Sequence, residues 1–117
     1  MIHHKKVYFF PKLFYIQLSD ELYEDYLLVL GDMGELGEKE ESYHKELGEY
    51  IFKKNSKARV LTVGNLSENI SRECGGKHFS DISQVVEYIK NNISKSTRIF
   101  LKASRSMKFE NIISLLS

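Results

Sequence analysis

Three short, nearly all-apolar runs separated by longer amphipathic segments constrain the fold of this chain more than any other feature. The runs are "LLVL" (27–30), "RVLTV" (59–63) and "RIFLKA" (98–103). Each is too short for a buried helix, and continuous apolar runs of this length are typical of strands covered on both faces. Strands that alternate with helices form parallel sheets with right-handed crossovers. We therefore predict an α/β fold with a doubly wound, mostly parallel sheet.

The segments between these runs have the spacing and the ends of helices. Residues 38–55 place apolar side chains at helical spacing, with glutamates at the start and lysines at the end, which opposes the helix dipole. Asn65 and Glu68 have the spacing of a capping box, and the glycines at 75 and 76 predict the end of that helix. Ser80 or Asp81 is expected to cap a third helix, and "KHF" (77–79) predicts a brief strand between the two. The last helix is predicted to bury Met107, Ile112, Ile113, Leu115 and Leu116.

Residues 1–26 do not share this rhythm. "KVYFF" and "LFYIQL" look like strands, but Pro11 lies between them. We therefore predict one domain over residues 27–117, preceded by an atypical segment, residues 1–26, whose placement the sequence does not fix.

Composition excludes several classes of partner. The formal net charge of 117 residues is only +1, which provides no field to attract nucleic acid or an anionic membrane. No run approaches the roughly 18 to 20 apolar residues of a membrane helix. Cys74 is the single cysteine, so an internal disulfide and a cysteine-based zinc site are excluded. We expect a cytoplasmic protein without a metal site, and adjacent His3 and His4 are too few ligands to change that.

The loop "GDMGELG" (31–37) follows the first apolar run. Its spacing, G-x-x-G-x-x-G, matches neither the dinucleotide fingerprint nor the P-loop. Asp32 and Glu35 lie inside it, and like charges a few Å apart cost on the order of 1 kcal/mol or more. The loop is therefore not expected to hold phosphate unaided. It can serve a metal-bound nucleotide, a ribose hydroxyl or an amine, or it can be a tight turn with a helix cap.

The loop "ASRS" (103–106) follows the last apolar run. Ser104, Arg105 and Ser106 would together hold a carboxylate well, since hydroxyls and a guanidinium donate to it. The alternative is a serine that caps the helix beside a solvated arginine. His44, in the first helix, has no Ser, Cys or Asp pattern that would make it a catalytic base, so we expect it to be packed or solvated.

In their order and spacing, "VLGDMGELGEKEESYHKELGEYI", "VLTVG", "KHFSD" and "FLKASRSMKFENII" resemble the C-terminal domain of the Mur ligases. The resemblance covers about residues 27–117. It is strongest to the members that add D-alanyl-D-alanine to UDP-N-acetylmuramoyl-tripeptide. A weaker alternative is a relative that ligates glutamate, such as the folate polyglutamating enzymes, but the GDM-x-ELG loop argues against it.

The resemblance implies a Rossmann-like domain of an ADP-forming ligase of peptidoglycan precursor synthesis, with ATP and Mg²⁺ as cofactors of the full-length enzyme. It implies that Asp32 and Glu35 lie near the nucleotide, that Ser104, Arg105 and Ser106 bind the dipeptide, and that His44 matches the family's helix histidine. The implied partners are the ligase's N-terminal and central domains. No nucleic acid or membrane is implied.

The chain departs from the family at three places. Ala103 stands where glycine is usual, so its backbone must avoid a positive φ or be strained. Gly34 replaces a commonly larger residue, and residues 1–26 contain no Asp-x-Tyr-Asn-x-Asn-Pro segment. The sequence also has no P-loop to hold ATP phosphates. We therefore expect a ligase fragment that is inactive alone and binds no cofactor by itself. The alternative is a stand-alone, non-catalytic Rossmann-like binding or interaction module.

Overall fold

A computed structural model describes residues 7–9, 25–34, 37–54, 58–94 and 97–116. The strands are β1 (Val7–Phe9), β2 (Asp25–Gly31), β3 (Arg59–Val63), β4 (Lys77–Phe79) and β5 (Thr97–Lys102). The helices are α1 (Glu40–Lys53), α2 (Glu68–Cys74), α3 (Ile82–Asn92) and α4 (Glu110–Leu116), with 3₁₀ turns at Gly37–Lys39 and Arg105–Met107. Strands and helices alternate from β2 onward, as the apolar runs predict.

The five strands form one sheet in the order β1-β5-β2-β3-β4, and every neighbouring pair is parallel. This confirms the predicted α/β class and the doubly wound, parallel sheet. At the centre of the sheet, Leu28 of β2 lies between Phe100 of β5 and Val60 of β3. A strand in this position is covered on both faces, which explains why β2 is apolar at consecutive positions.

Each face of the sheet has its own core. Leu27 and Val29 pack on the face covered by α3 and α4, whereas Leu28 and Leu30 pack on the face covered by α1 and α2. The α3–α4 core also contains Leu61, Val63, Val85, Val86, Ile89, Ile99, Leu101, Phe109, Ile112 and Leu116. The helices therefore cover the sheet in two pairs, and the chain changes face between β4 and β5.

The capping box predicted at Asn65 and Glu68 is wrong. Residues 65–67 form a turn in which the Asn69 backbone N–H donates to the Leu66 carbonyl, and α2 begins only at Glu68. Ser67 precedes the helix without a side-chain cap, because its hydroxyl is engaged elsewhere. At α3 the prediction is confirmed, since the Asp81 side chain accepts from the Gln84 backbone N–H at 3.0 Å.

The predicted core of the last helix is partly wrong. Leu115 is 49% exposed, whereas Phe109, absent from the prediction, is 4% exposed. Leu115 lies about 100° around the helix from the buried Leu116, which places it on the exposed side. Ile112 and Leu116 are buried as predicted, and Met107 and Ile113 are partly buried against the same core. Lys108, with a left-handed backbone (φ 52°), separates the 3₁₀ turn from α4.

The strand predicted in "KVYFF" is confirmed over Val7–Phe9, which pairs with β5. The strand predicted in "LFYIQL" lies outside the described residues. Ala103 avoids a positive φ, as its side chain requires. None of the helices in the described part of the chain is long and apolar enough to cross a membrane.

Candidate functional site at the carboxyl edge of the sheet

The connections that leave β2 and β5 separate at the carboxyl edge of the sheet. These strands are neighbours, yet α1 follows β2 on one face and α4 follows β5 on the other. Parallel α/β proteins bind ligands in the crevice that such a switch point opens. Residues 32–34 and 103–107 lie at this switch point, so the structure brings both predicted loops to one edge.

Asp32 joins three of the loops at this edge. Its Oδ1 accepts from the Ser67 backbone N–H at 2.8 Å and from the Ser67 hydroxyl at 2.7 Å. Its backbone carbonyl accepts from the Ser104 N–H at 2.9 Å. The end of β2 is thus tied to the loops after β3 and β5. Glu35, predicted beside Asp32, lies outside the described residues.

Two glycines make this close approach possible. Gly64 has φ +111°, and a Cβ there would lie 2.5 Å from Asp32 Oδ1. A Cβ at Gly31 would lie 2.6 Å from the Phe109 ring and 2.8 Å from Ala103 Cβ. Side chains at these positions would push the carboxylate off the β3 loop or separate β2 from β5. The glycine that opens "GDMGELG" therefore serves packing against Phe109 and Ala103.

His44 is fully buried beneath the same loop. Its Nε2 lies 2.9 Å from the Met33 backbone N–H, which donates to it. Nε2 must therefore carry the lone pair, so Nδ1 bears the hydrogen and donates to the Glu40 carbonyl at 2.5 Å. Both ring nitrogens are engaged. Of the two alternatives that the sequence leaves open, packed or solvated, the histidine is packed, and in this position it anchors the loop after β2 to α1.

The hydroxyls of Ser104 and Ser106 lie 2.9 Å apart, and the Arg105 side chain between them is exposed. Ser104 does not cap the following turn with its side chain. The capping alternative is therefore wrong for this hydroxyl, and the paired hydroxyls flank an arginine whose side chain is exposed. Such a set can donate several hydrogen bonds to a small anion.

Two residues of this edge are missing from the sequence-based prediction. Lys102 is the last residue of β5 and is half-buried, and burial lowers its pKa. The signal in the sequence was a lysine inside the run "RIFLKA", immediately before "ASRS". Ser67 is fully buried against Asp32, but its partner lies 35 positions away, so no local pattern indicates the contact.

The described residues near Asp32 carry negative charge and one carboxylate oxygen that is already engaged. Asp32 already commits Oδ1 to two donors, and the exposed Glu38 and Glu41 lie at the start of the next helix, where they would repel phosphate. Within those residues, no group of three or more His, Cys, Asp or Glu side chains is placed to hold a metal ion.

Comparison with known proteins places these observations in a family. Residues 16–105 match the family described as "Mur ligase, glutamate ligase domain". A UDP-N-acetylmuramoyl-tripeptide–D-alanyl-D-alanine ligase of Bacillus subtilis is 41% identical in an alignment of 108 positions that covers 84% of this chain and 23% of that protein. The enzyme of the same name from Haemophilus influenzae is 39% identical in an alignment of 93 positions that covers 74% of this chain and 20% of that protein.

Solved structures agree in fold. A crystal structure of MurF from Acinetobacter baumannii superposes with a TM-score of 0.67 at 23% identity, over 77% of this chain and 21% of that one. MurF from Thermotoga maritima, in complex with ADP, superposes with a TM-score of 0.61 at 26% identity, over 79% of this chain and 21% of that one. The chain thus spans about a fifth of the length of these proteins. It belongs to the Mur ligase family, and the part of the enzyme that it represents is the C-terminal domain.

Proposed function

We propose that this chain is the C-terminal domain of an ATP-dependent ligase that adds D-alanyl-D-alanine to UDP-N-acetylmuramoyl-tripeptide in peptidoglycan precursor synthesis. The observation that carries the proposal is the 41% identity, over 84% of the chain, to a ligase of that name. The carboxyl edge supports it, because it offers donors for a small anionic substrate. We place the ligase in the cytoplasm.

The dipeptide is assigned to the Ser104–Ser106 loop. A peptide carboxylate accepts several hydrogen bonds, and the paired hydroxyls with the exposed Arg105 guanidinium supply donors of matching charge. A carboxylate held here would leave the amino end of the dipeptide free to attack the acyl-phosphate of the other substrate. That attack forms the amide bond and releases phosphate.

The loop with Asp32 and Glu35 is assigned to the neighbourhood of the nucleotide on the family resemblance, and nucleotide use by the full-length ligase is supported by the T. maritima relative in complex with ADP. ATP and Mg²⁺ serve the full-length ligase, whose central domain grips the phosphates and makes the acyl-phosphate. This sequence contains no P-loop, so we propose that the chain is inactive without the N-terminal and central ligase domains. His44 acts as an anchor of this loop.

A binding experiment tests the substrate assignment. Calorimetric titration of the chain with D-alanyl-D-alanine should show binding that Arg105→Ala weakens by about tenfold or more, since a charged hydrogen bond contributes roughly 1.5–3 kcal/mol. The matched control is Arg72→Ala, which removes an exposed arginine paired with Glu68 on α2. Equal loss in both variants, or binding that neither variant changes, contradicts the assignment.

A second experiment tests the reaction. The chain is mixed with the separately produced N-terminal and central domains of a D-alanyl-D-alanine-adding relative, and ADP release is followed with tripeptide substrate and dipeptide. We expect release only from the mixture, and weak or no ATP binding by the chain alone. Tight ATP binding by the chain would refute the assignment of phosphate binding to another domain. Absence of both dipeptide binding and activity in the mixture would favour the non-catalytic interaction module.

A further inference from the structure

The Asp32 carboxylate lies in a cradle built by the loop after β3. Both donors of Ser67, its backbone N–H and its hydroxyl, point at the same oxygen, Oδ1, at 2.8 and 2.7 Å. Ser67 is fully buried, and its hydroxyl serves Asp32 instead of capping α2. Gly64 completes the cradle, because a side chain there would occupy the position of the carboxylate.

The same residue reaches the proposed substrate loop through its backbone. The Asp32 carbonyl accepts from the Ser104 N–H, and Ser104 in turn shares a hydrogen bond with the hydroxyl of Ser106. Asp32 therefore lies between the β3 loop and the β5 loop. If its side chain loses the cradle, the carbonyl that orients Ser104 loses its fixed position as well.

We propose that Asp32 and Ser67 are positioning residues, and that Asp32 acts through Oδ1 as a hydrogen-bond acceptor and not through its negative charge. In this role the pair sets the position of the Ser104–Ser106 loop relative to β2. The consequence for the dipeptide rests on the proposed function, whereas the placement of the loop does not.

The variant Asp32→Asn distinguishes a role of Asp32 as a hydrogen-bond acceptor from a role of its negative charge. Asp32→Asn keeps an oxygen that can accept from both donors of Ser67 but removes the charge. Asp32→Ala removes the acceptor as well. A residue that binds an ammonium group or a metal through its charge would lose function in both variants, whereas a positioning residue would be rescued by asparagine.

The experiment measures amide hydrogen exchange of Ser104 by NMR in the ¹⁵N-labelled chain. We expect exchange to accelerate about tenfold in Asp32→Ala and at least about threefold in Ser67→Ala, since one to two hydrogen bonds are lost. Asp32→Asn should stay below about threefold. The control is Asp81→Ala, which removes an aspartate that also accepts from a backbone N–H but lies at the start of α3.

Equal acceleration in Asp32→Asn and Asp32→Ala overturns the proposal, and so does an unchanged Ser104 in Ser67→Ala. If Asp32→Ala does not fold, the comparison of Ser67→Ala with Asp32→Asn still decides the question. Each variant is also titrated with D-alanyl-D-alanine, and Asp32→Asn should retain the wild-type response whereas Asp32→Ala should lose it. If the wild-type signals of Ser104–Ser106 do not respond to the dipeptide, the proposed substrate site fails, while the exchange data still decide the positioning role.

Discussion

The buried histidine beneath the acidic loop allows a quantitative prediction. His44→Phe replaces the imidazole with a somewhat larger, apolar ring and so removes both ring nitrogens. The Met33 N–H then lacks its acceptor at a residue that is only 7% exposed, and the Glu40 carbonyl lacks the Nδ1–H donor. The perturbation is therefore the loss of two hydrogen bonds without a large cavity.

The expected cost follows from these two contacts. A buried N–H without an acceptor costs about 1–3 kcal/mol, and the second bond contributes about 1 kcal/mol net. We expect His44→Phe to lower the free energy of unfolding by about 2–4 kcal/mol, a large part of the roughly 5–15 kcal/mol typical of a domain. His44→Gln can place its carbonyl oxygen near the position of Nε2, so it should lose only about 1–2 kcal/mol.

Urea unfolding followed by circular dichroism measures these differences. Lys45→Ala is the control, because this neighbour on α1 is exposed and should change stability by less than about 0.5 kcal/mol. A His44→Phe variant as stable as Lys45→Ala would refute the argument. So would a His44→Gln variant that is no more stable than His44→Phe, because the Met33 N–H would then not depend on an acceptor.

Three further predictions concern the backbone and the caps. Gly48→Ala should destabilise the chain by about 1–3 kcal/mol in urea unfolding, since its Cβ would lie 2.6 Å from the Ile70 carbonyl oxygen; a gain, as alanine gives in open helices, would contradict this. Lys108→Gly should stabilise it by about 1 kcal/mol by relieving a left-handed backbone, whereas Lys108→Ala should bring no such gain. Asp81→Ala should lower the Tm at pH 7. The Ser83 hydroxyl and the Gln84 N–H hold the pKa of Asp81 below its ordinary value, so the Tm difference from wild type should shrink as pH falls through that lowered pKa; a difference that stays constant across the acidic range would refute it.

The sequence predicts the sheet well because its signal is local. A strand covered on both faces is apolar at consecutive positions, and "LLVL" and "RVLTV" show this without knowledge of their neighbours. Where a long-range contact decides, local patterns fail. Asn65 and Glu68 have the spacing of a cap, but Ser67 instead donates to Asp32, 35 positions earlier. The sequence also gives no indication that β1 pairs with β5.

The candidate site shows the same contrast between what local patterns predict and what long-range contacts decide. Its position is predictable, because the loops after β2 and β5 carry polar residues and parallel strands end at the same edge. The hydrogen-bond partners of each side chain are not predictable. Nothing in "GDMGELG" indicates that Asp32 accepts from Ser67, or that Met33 donates to His44 through its backbone. Hydrogen bonds to the backbone depend on where the chain passes and not on which side chain it carries there.

The arrangement of charge at the edge favours a small anion over a bare nucleotide phosphate. Asp32 lies at the start of the loop after β2, and Glu38 and Glu41 are exposed at the start of the following helical segment. A triphosphate beside them would need its charge neutralised by groups from another domain. On the β5 side, Arg105 and the paired serine hydroxyls offer donors matched to a single carboxylate. These charges agree with the proposed division of labour, in which this edge holds the incoming amino compound and another domain binds ATP.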